Sequence, residues 1–310
     1  MPFPIEQKLV LAVSSSAVFD MTEAQRVYDE EGIEAYRTYQ RTRLAEPFQK
    51  GVAFPFIRRL LRLNQHFPEQ QPVEVVVLSK NDSDTGRRFF RSCQHYKLDI
   101  TRGAFLTGRS PHSYLASFNA SLFLSASEAD VKAAIQVGLP AGLVLPCATQ
   151  EDESDQELRV AFDFDGVLAD DEAERVYQAK HDLAEFNALE TRQAAVPHNP
   201  GPLQRLITNL SALQKLAQTQ PGLTPAGTPL IRVAVITARG APSNERFVTT
   251  LNAWNIKVDE TFFMGGIEKA RVLEILKPHL FFDDQLKHLA AAAHLVPSVH
   301  IPFGVANQPC

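Results

Sequence analysis

The chain has 310 residues, 45% apolar and 22% charged, with a formal net charge of −5; that length suits two domains and that composition an ordinary soluble globular protein. The absence of a basic footprint argues against nucleic acid or an anionic membrane as the main partner, and no window approaches the roughly 18 apolar residues of a membrane span. The run at 9–13 is too short and too weakly basic in front for a signal peptide, and the three scattered cysteines, Cys93, Cys147 and Cys310, argue for a reducing, cytoplasmic setting over a disulfide framework or a cysteine zinc site.

In chain order, residues 9–13 (LVLAV) form a candidate strand, followed by Ser14, Ser15 and Ser16 and a helical stretch at Glu23–Tyr39. A second helix is expected over 54–66. Val73–Leu78 is a β-branched strand that ends at Ser79. After a polar turn, Arg87 and Arg88 open a helix to about Tyr96, and Phe105–Leu106 and Leu122–Leu124 are short strands. The polar, acidic stretch Pro146–Glu157 is the best linker candidate, so domains of 1–149 and 150–310 are expected.

The second half repeats the first. Shifting residues 9–28 by 149 gives eight identities in twenty, among them Leu9/Leu158, Arg26/Arg175 and Tyr28/Tyr177. Further on, a shift of 158 pairs Val75/Val233, Arg88/Arg246, Phe105/Phe263, Gly108/Gly266 and Phe123/Phe281. A duplicated α/β unit is the expected origin.

The repeat also separates scaffold from chemistry. In the second half the apolar run Val160–Phe162 leads into Asp163-Phe164-Asp165-Gly166. A strand has period two, so Asp163 and Asp165 face one pocket at its carboxyl end while Phe164 points away. An EF-hand loop is excluded, since Val167 stands where an oxygen ligand is required and glycine comes fourth instead of sixth. Ile231–Ile236 leads to Thr237, a helix near Ile267 carries Lys269, and Leu280–Phe282 leads to Asp283 and Asp284. Their counterparts in the first half are Ser14, Ser16, Ser79, Pro111, Ser125 and Ala126. A purely structural acidic turn gives no reason for so correlated a loss, so the second half is expected to be catalytic and the first inactive.

The four sites in this order resemble the motifs of the haloacid-dehalogenase-like phosphatases. A closer likeness, carried by A-V-S-S-S-A-V-F-D, E-E-G-I-E-A-Y, A-F-P-F-I, V-I-T-A-R, H-L-F-F-D-D-Q and I-P-F-G-V-A, is to the cytosolic type I 5′-nucleotidases and covers nearly the whole chain. The resemblance implies two tandem Rossmann-like parallel-sheet domains, the second with a small helical cap over about 170–230. It implies magnesium-dependent hydrolysis of nucleoside 5′-monophosphates, AMP prominently. On it, Asp163 is the nucleophile and Asp165 the acid/base, and Thr237 and Lys269 stabilise the phosphoryl group. Substrate contacts are expected from Phe164, Thr237, Ala238, Arg239 and Lys269, and metal ligands from Asp163, Asp165, Asp283 and Asp284. The partner is then a small nucleotide; oligomeric state is left open. Another small phosphate ester, or nucleotide sensing with residual turnover, are the alternatives the residues leave open.

Overall fold

The computed structural model describes residues 3–148, 151–180, 182–219 and 229–308, and divides into two compact units, Met1–Val144 and Leu145–Cys310. The first unit runs β1 (Leu9–Val13), α1 (Ser15–Val18), α2 (Thr22–Glu31), α3 (Ile33–Thr42), α4 (Phe54–His66), β2 (Val73–Ser79), α5 (Ser83–His95), β3 (Arg102–Phe105), β4 (Leu122–Ser125), α6 (Glu128–Gln136) and β5 (Ala141–Val144). The second runs β6 (Leu158–Phe162), α7 (Glu172–Lys180), α8 (Leu183–Arg192), α9 (Gln204–Gln218), β7 (Ile231–Thr237), α10 (Asn244–Ala253), β8 (Glu260–Phe263), α11 (Ala270–Leu276), β9 (Leu280–Asp283), α12 (Leu286–Ala292) and β10 (Ser298–His300).

Within the first unit the strands lie in the order β3-β2-β1-β4-β5, and within the second β8-β7-β6-β9-β10. The paired strands are parallel, with Leu11 opposite Val75 and Leu122 in one unit and Val160 opposite Val233 and Leu280 in the other. Helices flank such sheets on both faces, so strands such as LVLAV need no alternation and are buried throughout. The chain leaves β6 toward β7 on one side and later returns to β9 on the other. The gap between β6 and β9 is therefore the switch point, where open α/β sheets bind ligands at the strands' carboxyl ends.

Element boundaries repeat closely between units. Shifts of 149 and 158 carry β1 onto β6 and β2, β3 and β4 onto β7, β8 and β9. Ser14 N–H donates to the Leu124 carbonyl at 2.8 Å, and Asp163 N–H to that of Phe282 at 2.7 Å, so the two occupy equivalent backbone positions. Gly51 and Gly201 are also matched. A Cβ on Gly201 would stand 2.2 Å from the Ala169 carbonyl oxygen, and one on Gly51 2.8 Å from that of Val18. Glycine at both places lets the loop before α4 or α9 lie against the loop after the first strand, as the Phe19–Lys50 and Ala169–Pro200 bridges show.

Three expectations change. Glu23–Tyr39 is two helices, because Gly32 takes φ +83° and ends α2. The helical cap expected over about 170–230 likewise opens with two separate helices, α7 and α8, and Asp182 caps the second by accepting from Ala184 and Glu185 N–H. The helix expected at Arg87 begins at Ser83, because Asp82 accepts from Thr85 N–H at 3.1 Å. The helical pair expected as an insert of the second unit has a counterpart, α2 and α3, in the first.

Candidate active site

The site of the second unit starts from three strand ends. β6 ends at Phe162, so Asp163 and Asp165 follow it; β7 ends on Thr237; β9 ends on Asp283, with Asp284 next. Gly166 takes φ +72°, and a Cβ there would stand 2.5 Å from Asp284 Oδ2, so only glycine leaves this space open.

Lys269, the N-cap residue of α11, joins the two carboxylate motifs. Its Nζ lies 2.7 Å from Asp163 Oδ2 and 2.7 Å from Asp283 Oδ2, and the lysine is only 5% exposed. Asp163 Oδ1 accepts from Phe164 N–H at 2.7 Å. Asp283 Oδ1 accepts from Gln285 N–H at 2.8 Å, and His288 Nδ1 stands 3.2 Å from Asp283 Oδ2. Asp284 is buried and its Oδ1 has no hydrogen-bond partner.

Burial raises the Asp163 carboxyl to about 7, against the pull of Lys269, with Asp283 adding to the rise. Burial and the charges of Asp163 and Asp283 push Asp284 to about 9. For Asp283 burial is outweighed by Lys269 and His288, which hold it below the usual carboxylate range. Lys269 is raised, since the two carboxylates overcome its own desolvation.

A second cluster holds Asp165. Arg239 donates to it through both edges, Nε to Oδ2 at 2.8 Å and Nη2 to Oδ1 at 2.6 Å. The third nitrogen of the guanidinium, Nη1, reaches Glu190 Oε2. Glu190 Oε1 accepts from Arg246 Nη1 at 3.0 Å, and Arg246 Nη2 donates to Glu172 at 2.9 Å. His198 Nε2 lies 3.2 Å from Glu190 Oε2. Burial opposes the Glu190 charge, but His198 and Arg239 outweigh it and hold its carboxyl down at about 2.

The expected residues separate accordingly. Asp163, Lys269 and Asp283 are in direct contact, with Asp284 beside them. Thr237 is buried and its Oγ1 accepts from Arg239 N–H at 3.2 Å, while Ala238, at the end of β7, is exposed. Two of the expected substrate contacts have protein partners here. The Phe164 ring is fully buried, with its centroid 4.7 Å from Phe247 and 5.3 Å from His198, so its ring is core and only its backbone faces the carboxylates. Arg239 is 3% exposed, and its guanidinium is engaged by Asp165 and Glu190. The side chain of Asp165 is likewise taken up by Arg239, so as a metal ligand it has its backbone carbonyl to offer. Glu190, His198, Arg246 and His288 were not anticipated. For two of them the repeat carries a change of chemistry: α3 and α8 match at a shift of 150, which sets Gln40 opposite Glu190, and the shift of 158 sets Asp130 opposite His288.

The residues present fit a magnesium ion. The donors are hard carboxylate oxygens, one of them a buried oxygen with no partner, and Asp163, Asp283 and His288 each offer an atom within 4.8 Å of the others. No helix of the described residues is long and apolar enough to cross a membrane.

A family model described as 5′-nucleotidase matches residues 1–308. Human cytosolic 5′-nucleotidase 1B is 34% identical over 304 residues, which cover 95% of this chain and 49% of the human protein. The chain thus spans about half the length of that relative. A chain of the solved Pnkp1/Rnl/Hen1 complex aligns over 96% of this chain and 97% of its own length, with a TM-score of 0.31 and 14% identity, and carries no structural argument. The match along nearly the whole sequence settles the family: the chain belongs to the 5′-nucleotidases.

Proposed function

We propose that the second unit hydrolyses nucleoside 5′-monophosphates, AMP foremost, to nucleoside and phosphate in a magnesium-dependent reaction. The observation that carries this reading is the buried Asp163–Lys269–Asp283 cluster with an unpartnered Asp284 oxygen beside it. So many carboxylates in one dry pocket need cations. They suit a site that takes a metal and a phosphate together.

In the proposed reaction an Asp163 oxygen attacks phosphorus and the P–O5′ bond breaks. Asp165 gives its proton to O5′ as the nucleoside leaves, and an aspartyl-phosphate remains. Asp165 then takes a proton from a water whose oxygen attacks that phosphorus, freeing phosphate and restoring Asp163. Two unit charges about 4 Å apart repel by about 4 kcal/mol at an effective dielectric of 20, so a phosphate dianion needs help to approach Asp163. Lys269 supplies one positive charge. The Thr237 hydroxyl and the backbone amides after it suit the phosphate oxygens. Asp163, Asp284, Asp283 and the Asp165 carbonyl would hold magnesium, which when bound supplies further positive charge against the carboxylates and phosphate.

We further propose that the halves arose by duplication, with one active site in residues 150–310 and a catalytically inactive half over 1–149, that α7 and α8 act as a cap, and that the protein works in the cytoplasm on a small nucleotide. The strand orders and the hydroxyls at 14, 16, 79 and 125 support the duplication and the inactive half. A panel of nucleoside monophosphates and sugar phosphates, assayed for released phosphate with and without magnesium, tests the reading. Turnover confined to esters other than nucleotides, or unaffected by a chelator, refutes it.

A further inference from the structure

We infer that Glu190 is a positioning residue for the acid/base carboxylate, acting on Asp165 through Arg239; this rests on the role proposed above for Asp165.

Glu190 and Gln40 are equivalent: each is the eighth residue of its helix, α8 or α3, one turn after the buried fourth residue, Phe186 or Tyr36, and each is itself buried. The arginine that packs on each is also kept. Arg246 Nη1 donates to Glu190 Oε1 at 3.0 Å and its Nε to the Val196 carbonyl at 2.9 Å. Arg88 Nη1 donates to Gln40 Oε1 at 3.2 Å and its Nε to the Glu46 carbonyl at 3.0 Å. An amide at this place therefore also accepts from the matched arginine, so that contact alone does not call for a carboxylate.

The second oxygen is what differs. Glu190 Oε2 receives Arg239, whose other edge holds Asp165. In the first unit the counterparts of Arg239 and Asp165 are Asn81 and Ser16, so both ends of that chain of contacts are gone. Two arginines need two acceptor oxygens, and the unit with one arginine has one. A glutamine at 190 would give its Oε1 to Arg246, as Gln40 does to Arg88, and turn its Nε2, a donor, toward Arg239. The guanidinium would lose the contact that fixes its plane, and the forked pair with Asp165 depends on that plane. Because α8 supplies Glu190, the acid/base is tied to the helical segment between the first and second strands of its unit.

The test is Glu190→Gln, assayed on AMP and on the analogue in which sulfur replaces the bridging 5′-oxygen. A thiol has a pKa of about 8.5, so the thiolate leaves without a proton and the acid role of Asp165 is dispensable. The expected result is a fall in kcat on AMP of about 10- to 100-fold, the scale of a misplaced catalytic group, with KM little changed and a clearly smaller fall on the thio-ester. Equal losses on both esters, or wild-type kcat on AMP, overturn the inference. Should Glu190→Gln not fold, the comparison is Arg239→Asn against Arg239→Asn with Glu190→Gln, the pair that the first unit carries. With Arg239 gone, Glu190 has nothing to position, so equal kcat values are expected, and a further tenfold loss overturns the idea. If the wild-type protein releases no phosphate from nucleotides, or Asp163→Asn still does, the proposed function fails instead.

Discussion

Replacing Lys269 by methionine tests the electrostatic core of the site. The methionine matches the lysine stem in length and removes the charge. Each of the two 2.7 Å contacts made by Nζ corresponds to about 6 kcal/mol of attraction at an effective dielectric of 20, before desolvation is counted. The net effect of breaking such a buried set is about 3–5 kcal/mol, because Asp163 and Asp283 are left without a counter-ion. That is a large part of a typical domain stability of about 5–15 kcal/mol. The loss should depend on pH. Asp163 already titrates at about 7, above the carboxyl's ordinary 3.8, so its contribution is full at low pH and falls as pH rises through 7. Without Lys269 the Asp163 carboxyl moves higher still and Asp283 rises from its depressed value, each unit adding about 1.4 kcal/mol to the deficit once both groups must ionise. Urea unfolding of metal-free protein should therefore show a larger difference between variant and wild type near pH 8 than near pH 5. Turnover should fall by about 10²- to 10³-fold. Equal unfolding midpoints for variant and wild type at both pH values would refute the account of Lys269 as the shared counter-ion.

Glu190, held at about 2 against an ordinary 4.5, contributes stability that is present above about pH 4.5 and lost as pH falls toward 2; acid titration followed by circular dichroism should show this slope in the wild type and lack it in Glu190→Gln. Cys93 is buried and its thiol is pushed up to about 12 by that burial, so a thiol reagent at neutral pH should modify it only after urea unfolding, as peptide mapping would show. Asp163→Asn should lower kcat by several orders of magnitude, whereas Ser14→Ala at the equivalent place should leave it near wild type, with thermal melts confirming that both are folded.

Strands were the most legible part of the fold. β1 (Leu9–Val13) and β2 (Val73–Ser79) are short apolar runs bounded by polar residues, and burial on both faces leaves little else for such segments to be. Helix ends were less legible, because they turn on single residues: Gly32 splits α2 from α3 by its left-handed φ, and Asp82 starts α5 four residues early. For the site, residues at strand ends could be read directly, since period two places Asp163 and the repeat isolates Thr237, Lys269 and Asp283. Glu190 and Arg246 sit on helices and His198 in a loop, places where a charge is ordinarily solvated, so their own segments do not mark them. Only tertiary packing buries them. Arg239 was visible as part of V-I-T-A-R, but its burial under two carboxylates depends on α8 and could not be read from its own strand.

The most direct test of the central claim, that the Asp163 carboxylate carries the phosphoryl group, is to trap it. Wild-type protein is mixed with AMP radiolabelled in its phosphate and with magnesium, quenched in acid within one turnover, and digested for peptide mapping. The expected result is acid-stable label on the peptide containing Asp163, absent from Asp163→Asn. Phosphate release with no protein-bound label at any quench time, or label on a peptide from residues 1–144, would contradict it.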